Sequence, residues 1–238
     1  MHAVTDNPAP PPDLNWARID TVCLDMDGTV LDLRFDNLFW LEALPRRWAK
    51  VHGVGEEEAL MTLKSRFDAR RGTLEWYCID HWSEELGVDI AALKVEMSDW
   101  IEFLPGAVDF LDAVRWTGRR LLLTTNAHPI SLEIKNRKVN LSEHFDELVS
   151  SHEFGVPKED AEFWIRLGQS HGVVPARTLF VDDSPAVLQA ARRAGVGQIV
   201  QMLKPDSGMA ARRAEQGFEG IGGLSEIAPG QRRNANRR

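Results

Sequence analysis

After Gly118 the chain repeats one pattern: a short apolar run, one or two polar residues, then a stretch of helical periodicity. The runs are Leu121-Leu122-Leu123-Thr124-Thr125, Glu147-Leu148-Val149-Ser150, Thr178-Leu179-Phe180-Val181 and Gln198 to Met202. Between and after them, helical spacing is read around Ile130 to Val139, through Phe163, Trp164 and Leu167, and from Pro185 to Ala194. A similar run, Thr21-Val22-Cys23-Leu24, stands far upstream within a strand expected from Ile19 to Asp25. Near-continuous apolar runs this short are strands buried on both faces, and strands alternating with helices build an α/β fold with a parallel, doubly wound sheet. Such sheets bind ligands beyond the carboxyl ends of their strands, so the residues that close each run carry the functional information.

The stretch between the upstream strand and Pro105-Gly106 does not follow this pattern. It is rich in aromatic residues at helical spacing, and predicts about four helices with no strand. In the first, Asp36 is read as the N-cap ahead of Leu38, Phe39 and Leu41, with Pro45 kinking or ending it. The others run over Glu56 to Arg70, Glu75 to Leu86 and Asp89 to Trp100, and Ala107 to Trp116 resumes the core up to Gly118 as a C-terminal cap. The expected organisation is a flexible Pro-rich leader over 1–15, a Rossmann-like core over 16–32 and 105–228, an inserted helical cap over 33–104, and a flexible basic tail over 229–238. A chain of 238 residues is long enough for one core and a smaller partner. Five of its eight tryptophans, Trp40, Trp48, Trp76, Trp82 and Trp100, lie in the insertion, where helix-spaced aromatics serve chiefly as core.

Charge narrows the partners. Lys+Arg 28 against Asp+Glu 36 leaves a net −8, which disfavours nucleic acid polymers while allowing one small phosphate ester. Cys23 and Cys78 are far apart with no Cys/His ligand spacing, and read as free packing thiols in a reducing cytoplasm. The start lacks the basic and apolar regions of a secretion signal, and no apolar run approaches a membrane span, so no membrane partner is expected. Oligomeric state is left open.

The polar residues that end the runs form a coherent set. Asp25 and Asp27 follow the first, separated by Met26 and followed by Gly28-Thr29; Gly28 permits a tight turn and Thr29 is expected to hydrogen-bond it. Thr125-Asn126 ends another, Lys158 follows in Gly155-Val156-Pro157-Lys158, and Asp182-Asp183-Ser184 ends the next. In a parallel sheet all of these meet at one rim. Carboxylates there can hold Mg²⁺ through oxygen, a lysine and a hydroxyl can hold phosphate oxygens, and one carboxylate can attack phosphorus. Ser184-Pro185 is an ordinary N-cap and first-turn pair that also positions Asp183.

With Asp25-Met26-Asp27-Gly28-Thr29, Thr125-Asn126, Lys158 and Asp182-Asp183 in this order, the chain resembles the haloacid dehalogenase superfamily of aspartyl phosphohydrolases. The resemblance implies that Asp25 is the nucleophile that forms an aspartyl-phosphate and Asp27 the acid and base. It further implies that Thr125 and Lys158 bind the transferring phosphoryl group with backbone near Asn126, and that Asp25, the Asp27 carbonyl and Asp183 hold Mg²⁺. Asp182 then orients a ligand or holds the metal through water, and the departure of this last motif from the commoner glycine-first form leaves the choice between Asp182 and Asp183 open. The second aspartate, Asp27, is absent from branches that displace halide or cleave phosphorus–carbon bonds, so phosphate-ester chemistry is implied.

A closer resemblance extends through the insertion. Phe35-Asp36-Asn37 with Phe39-Trp40, Trp76-Tyr77-Cys78, Thr125 to Pro129, Pro157 to Asp160 and Pro205-Asp206-Ser207-Gly208 are similar to the bacterial GMP/IMP 5′-nucleotidase group. This implies a purine nucleoside monophosphatase, with a sugar-phosphate phosphatase or phosphomutase as the alternative, and a nucleotide-binding regulator without turnover as a third reading that Asp27 opposes. Arg66, Arg70 and Arg71 cluster on or after one cap helix as candidates for contact with base or ribose, against the simpler reading of a solvated face. His81 and His128 are read as structural or surface residues, with His128 bordering the mouth.

Overall fold

The computed structural model describes residues 10–230. Most of the expected leader and almost all of the basic tail therefore lie outside the described residues. The ordered chain runs β1 (Thr21–Leu24), α1 (Arg34–Leu38), a π-turn (Phe39–Ala43), α2 (Leu44–His52), α3 (Glu56–Arg70), α4 (Leu74–Tyr77), α5 (Ile79–Leu86) and α6 (Ile90–Glu96). It continues through α7 (Ala107–Trp116), β2 (Arg120–Thr125), α8 (Pro129–Val139), α9 (Leu141–His144), β3 (Glu147–Ser150), α10 (Ala161–His171), β4 (Thr178–Asp182), α11 (Pro185–Arg193), β5 (Gln198–Met202) and β6 (Glu219–Ile221).

Among the described residues the strands form one parallel six-stranded sheet in the order β3-β2-β1-β4-β5-β6, the doubly wound architecture that the strand-helix alternation predicts. β6 is a short edge strand with no apolar run to announce it. Register brings Leu24 level with Leu123 and Val181, and Thr125 level with Ser150, so the strand ends do form one rim.

Period-two alternation divides the core. Val22, Leu24, Leu121, Leu123, Leu179 and Val181 face one apolar layer with α7, whereas Cys23, Leu122 and Phe180 face the other with α10 and α11. The π-turn with α2, α3, α5 and α6 supplies a third cluster around Phe39, Leu63, Ile79 and Trp82. The chain leaves and re-enters the sheet region through two adjacent extended segments: Leu104 N–H donates to Val30 O at 2.9 Å and Asp32 N–H to Glu102 O at 2.9 Å.

Several local expectations need correction. Asp36 lies inside α1, whose preceding residue Leu33 is already helical, and its carboxylate is taken by two lysines instead of backbone N–H groups. Pro45 does not end the helix: α1, the π-turn and α2 form one helical run from Arg34 to His52, and Pro45 follows directly on the π-turn, where the regular helix is interrupted. The helix expected over Glu75 to Leu86 is broken at Cys78, which is extended at φ −86°, ψ 109°. Thr29 Oγ1 is buried and has no hydrogen-bond partner; Leu31 N–H to Met26 O (2.7 Å) and Gly28 N–H to Leu31 O (2.7 Å) close that turn from the backbone alone.

Candidate active site

The β1 exit turn is set by Gly28. Its φ of +88° is costly for other residues, and a Cβ there would stand 2.8 Å from Pro205 Cβ and 3.1 Å from Asp183 Cγ. This close approach packs the Asp25–Asp27 turn against the ends of β4 and β5. Asp25 N–H donates to Val181 O at 3.0 Å, extending the ladder by one residue and holding the Asp25 carboxylate at the rim.

Lys158 lies beneath Asp25, fully buried. Its ammonium donates to Asp25 Oδ1 (2.5 Å), Asp182 Oδ2 (2.8 Å) and Thr124 O (2.9 Å), which uses all three of its hydrogens. Those two carboxylates raise the Lys158 pKa against the opposing effect of burial. Burial pushes Asp25 up to about 7 in spite of Lys158, and Asp182 and Asp183 up to about 6. One carboxylate oxygen from each of these aspartates lies within 4.8 Å of the others. Three carboxylates so close and so poorly solvated repel one another, and a hard divalent cation bound by oxygen relieves that repulsion, so the donor set fits Mg²⁺.

The two aspartates at the end of β4 differ in what they have left to offer. Asp182 spends Oδ2 on Lys158 and Oδ1 on the Ser184 N–H at 2.7 Å. Asp183 is the more open and borders the cavity, with Oδ2 accepting from Arg212 at 3.2 Å. Thr125 Oγ1 accepts the Ala127 N–H at 3.0 Å, which leaves its hydroxyl hydrogen as a donor into the cavity it lines. The Asn126 side chain is committed to the frame: Oδ1 accepts the Lys158 N–H at 2.8 Å, and Nδ2 donates to Glu159 Oε2 at 2.9 Å. It therefore acts as a strut for the loop bearing Lys158 rather than as a free ligand group.

Asp27 has a partner that no motif indicated. Lys135, 2% exposed on the inner face of α8, donates to Asp27 Oδ1 and to Asp36 Oδ2, each at 2.6 Å. Lys94 of α6, equally buried, donates to Asp36 Oδ1 at 2.9 Å. Two carboxylates and two ammonium groups thus form a neutral buried quartet linking α1 and α6 to α8 and the β1 turn. Asp36 is held well below the usual carboxylate range because both lysines outweigh its burial, whereas burial carries Asp27 up to about 6. A signal for Lys135 was present in the sequence, since Ser131, Leu132 and Lys135 follow one helical stripe. A lysine on a buried stripe needs a carboxylate.

These groups floor a cavity of about 580 Å³, within the range of small-ligand sites. Trp40, Phe67, Trp76, Tyr77 and Arg71 from the helical insertion form its other side. Tyr77 Oη donates to Glu159 Oε1 at 2.6 Å, tying that side to the Lys158 loop. A further tie comes from the loop after β5: Leu33 N–H donates to Pro205 O (2.9 Å), Ser207 N–H to Asp32 Oδ1 (3.1 Å), and Asn37 Nδ2 to Asp206 Oδ2 (2.7 Å). The structure does not bring Arg66 or Arg70 to the cavity. Lys64, Phe67 and Asp68 on one stripe of α3, and Arg71 just beyond its end and 2.8 Å from Asp68, line the cavity, while Arg66 turns to Glu85 (3.7 Å) and the Trp48 ring and Arg70 does not line it. Of the five insertion tryptophans only Trp48 and Trp82 are buried in the core, fewer than expected; Trp40 and Trp76 are partly buried and border the cavity, which Trp82 also lines, and Trp100 is exposed.

Comparison with known proteins agrees with this geometry. A family model described as haloacid dehalogenase-like hydrolase matches residues 19–195. GMP/IMP nucleotidase YrfG of Escherichia coli (strain K12) is 41% identical over 204 residues, covering 86% of this chain and 92% of that protein. A phosphorylated carbohydrates phosphatase of Thermotoga maritima is 23% identical over 193 residues, covering 76% of this chain and 84% of that one. Among solved structures, a HAD phosphatase from Thermococcus onnurineus superposes with TM-score 0.72 at 20% identity, covering 88% of this chain and 96% of the other.

Proposed function

The chain belongs to the haloacid dehalogenase-like hydrolase family and is a phosphatase, and on that premise we propose that it hydrolyses purine nucleoside 5′-monophosphates of the GMP/IMP kind through an aspartyl-phosphate on Asp25. The observation that carries this reading is one cavity whose floor holds Asp25, Asp27 and Thr125 and whose facing side is aromatic, with Trp40, Phe67 and Trp76. A phosphate ester with a flat apolar leaving group has matching chemistry. The 41% identity to a protein named for GMP and IMP supports the choice of leaving group.

Asp25 and Asp183 would hold Mg²⁺, with the Asp27 carbonyl expected from the family resemblance and Asp182 orienting them through Lys158. When bound, the ion offsets the charge repulsion between substrate phosphate and carboxylate. Lys158, fixed under Asp25 at 2.5 Å, orients the carboxylate oxygen that attacks phosphorus. As the new Asp25–phosphorus bond forms, the bond from phosphorus to the ester oxygen breaks, and Asp27 delivers its proton to that oxygen. Burial that raises Asp27 to about 6 keeps part of it protonated near neutral pH, as a general acid requires. Asp27 then takes a proton from water, the water oxygen bonds to phosphorus, and inorganic phosphate leaves with the Asp25 carboxylate restored. Thr125 donates its free hydroxyl hydrogen to a phosphoryl oxygen. Closure of the helical cap over residues 33–104 excludes bulk water during the first transfer.

The test is phosphate release from the pure protein with Mg²⁺ across a panel of nucleotides and sugar phosphates. GMP and IMP are expected to be fastest. Release no greater than that of Asp25→Asn for every substrate ends the nucleophile assignment, and faster turnover of hexose or triose phosphates replaces the nucleotide reading with the sugar-phosphate one.

A further inference from the structure

Cys78, His128 and His152 come from three separate parts of the chain and meet beside the cap. Cys78 occupies the break between α4 and α5, His128 is the N-cap residue of α8, and His152 lies in the 3₁₀ turn Ser151–Glu153 after β3. One possible ligand atom from each lies within 4.8 Å of those of the other two. The two imidazoles stand nearly perpendicular, 83°, with centroids 5.0 Å apart. Asp80 stands at the edge of the cluster, exposed, with its Oδ2 3.6 Å from His128 Nε2.

Two features distinguish this cluster from ordinary packing. His152 Nε2 is buried without a hydrogen-bond partner, although a buried imidazole nitrogen normally has one. The His152 ring is hydrogen-bonded to the backbone of Asn126, and with Nε2 unpartnered that bond falls to the other nitrogen. A backbone carbonyl on one ring nitrogen fixes the tautomer whose other nitrogen presents a lone pair, the arrangement found behind metal-ligating histidines. His128 meets the Ile130 N–H only at 3.4 Å, a weak bond that is readily given up. Burial also lowers the pKa of both rings, which favours the neutral form that binds metal.

We propose that Cys78, His128 and His152 form a three-ligand site for a thiophilic divalent cation of the Zn²⁺ type, separate from the carboxylate cluster at Asp25. Tetrahedral zinc bonds of about 2.0–2.3 Å place ligand atoms roughly 3.3–3.6 Å apart, so the cluster needs only a small inward movement. The ligands divide by segment: Cys78 belongs to the helical insertion, whereas His128 and His152 belong to the loops after β2 and β3. An ion bound here staples the cap helices to the sheet rim. Resting on the phosphatase reading, such a staple slows turnover, because substrate entry and product release require the cap to move. Hard oxygen ligands at Asp25, Asp182 and Asp183 suit Mg²⁺, and the thiolate and imidazoles suit the softer ion, so the two sites select different metals.

The experiment titrates Co²⁺ into the reduced, metal-free full-length protein with excess Mg²⁺ present. A 1:1 complex with a near-ultraviolet thiolate-to-cobalt band, discharged by stoichiometric Zn²⁺, is expected. Cys78→Ser is expected to lose the band, His152→Gln to weaken Co²⁺ binding at least tenfold, and Cys23→Ala to retain both. Absence of the band, or its survival in Cys78→Ser, overturns the site whether or not the protein hydrolyses nucleotides. In a second arm, Zn²⁺ is expected to inhibit Mg²⁺-supported phosphate release in the wild type and at least tenfold less effectively in His152→Gln. Equal inhibition of the two overturns the staple.

Discussion

Replacing Lys135 by methionine isolates the role of the buried quartet, because the stem is nearly conserved and only the charge is lost. In the native protein Lys135 Nζ stands 2.6 Å from both Asp27 Oδ1 and Asp36 Oδ2, and Lys94 supports Asp36 alone at 2.9 Å. The quartet is neutral; the variant leaves it with one negative charge, and Asp27 without a cationic partner. A close pair at an effective dielectric of 20 is worth about 4 kcal/mol, and breaking a buried pair from one side costs about 3–5 kcal/mol. Lys135→Met is therefore expected to destabilise the protein by about 3–5 kcal/mol, moving the urea midpoint down by about 1–2 M at an m-value near 3 kcal/mol/M. Asp36→Asn placed on top restores neutrality, so the double variant is expected to be more stable than the sum of the single losses by about 1–3 kcal/mol. Phosphate release is expected to fall about 10²-fold or more, because Asp27 loses the contact that aims it. A midpoint within 0.3 M of wild type (about 1 kcal/mol at that slope) and turnover within twofold would refute the claim that this quartet aligns the acid and base.

The remaining predictions concern the turn, the cap and acid stability. Gly28→Ala places a Cβ 2.8 Å from Pro205 in left-handed backbone, so a loss of about 1–3 kcal/mol in thermal or urea unfolding is expected; an unchanged midpoint contradicts the packing described. Tyr77→Phe removes the 2.6 Å bond to Glu159, and KM is expected to rise roughly 3–10-fold with kcat nearly unchanged, since an intramolecular hydrogen bond contributes a net of about 0.5–1.5 kcal/mol. Arg71→Ala is expected to raise KM, whereas Arg70→Ala leaves it unchanged; equal effects would mean that cavity lining does not decide which arginine meets substrate. Asp36 has a folded pKa depressed below its ordinary 3.8, so its contribution to stability is present above that value and is lost as pH falls further. Below pH 4 the wild-type urea midpoint is expected to fall more steeply than that of Asp36→Asn, and parallel slopes would remove Asp36 as the source.

Periodicity and spacing were enough for the parallel sheet, for its two apolar layers and for the rim that collects Asp25, Asp27, Thr125, Lys158, Asp182 and Asp183. These are local properties: alternation sets the face on which a strand residue packs, and a run's end is visible in the chain itself. Where expectation failed, the deciding interaction came from elsewhere. Asp36 looked like a helix cap because a cap is a local partner for aspartate, but Lys94 and Lys135, 58 and 99 residues away, claim its carboxylate. Arg66, Arg70 and Arg71 looked equivalent until α3 docked and ended, which leaves Arg71, the residue after the helix, as the one that lines the cavity.

What the sequence determined by itself was the chemistry available at the strand ends, because β-strand geometry carries each terminal residue to a fixed edge of a parallel sheet. Only the tertiary structure decided which groups are spent and which are free. It commits all three Lys158 hydrogens and both ends of Asn126, aims Asp27 through Lys135, and gathers Cys78, His128 and His152 at the edge of the cap. Charge pairing and ligand clustering act over a few ångströms of space regardless of separation along the chain, so packing must be complete before either is defined.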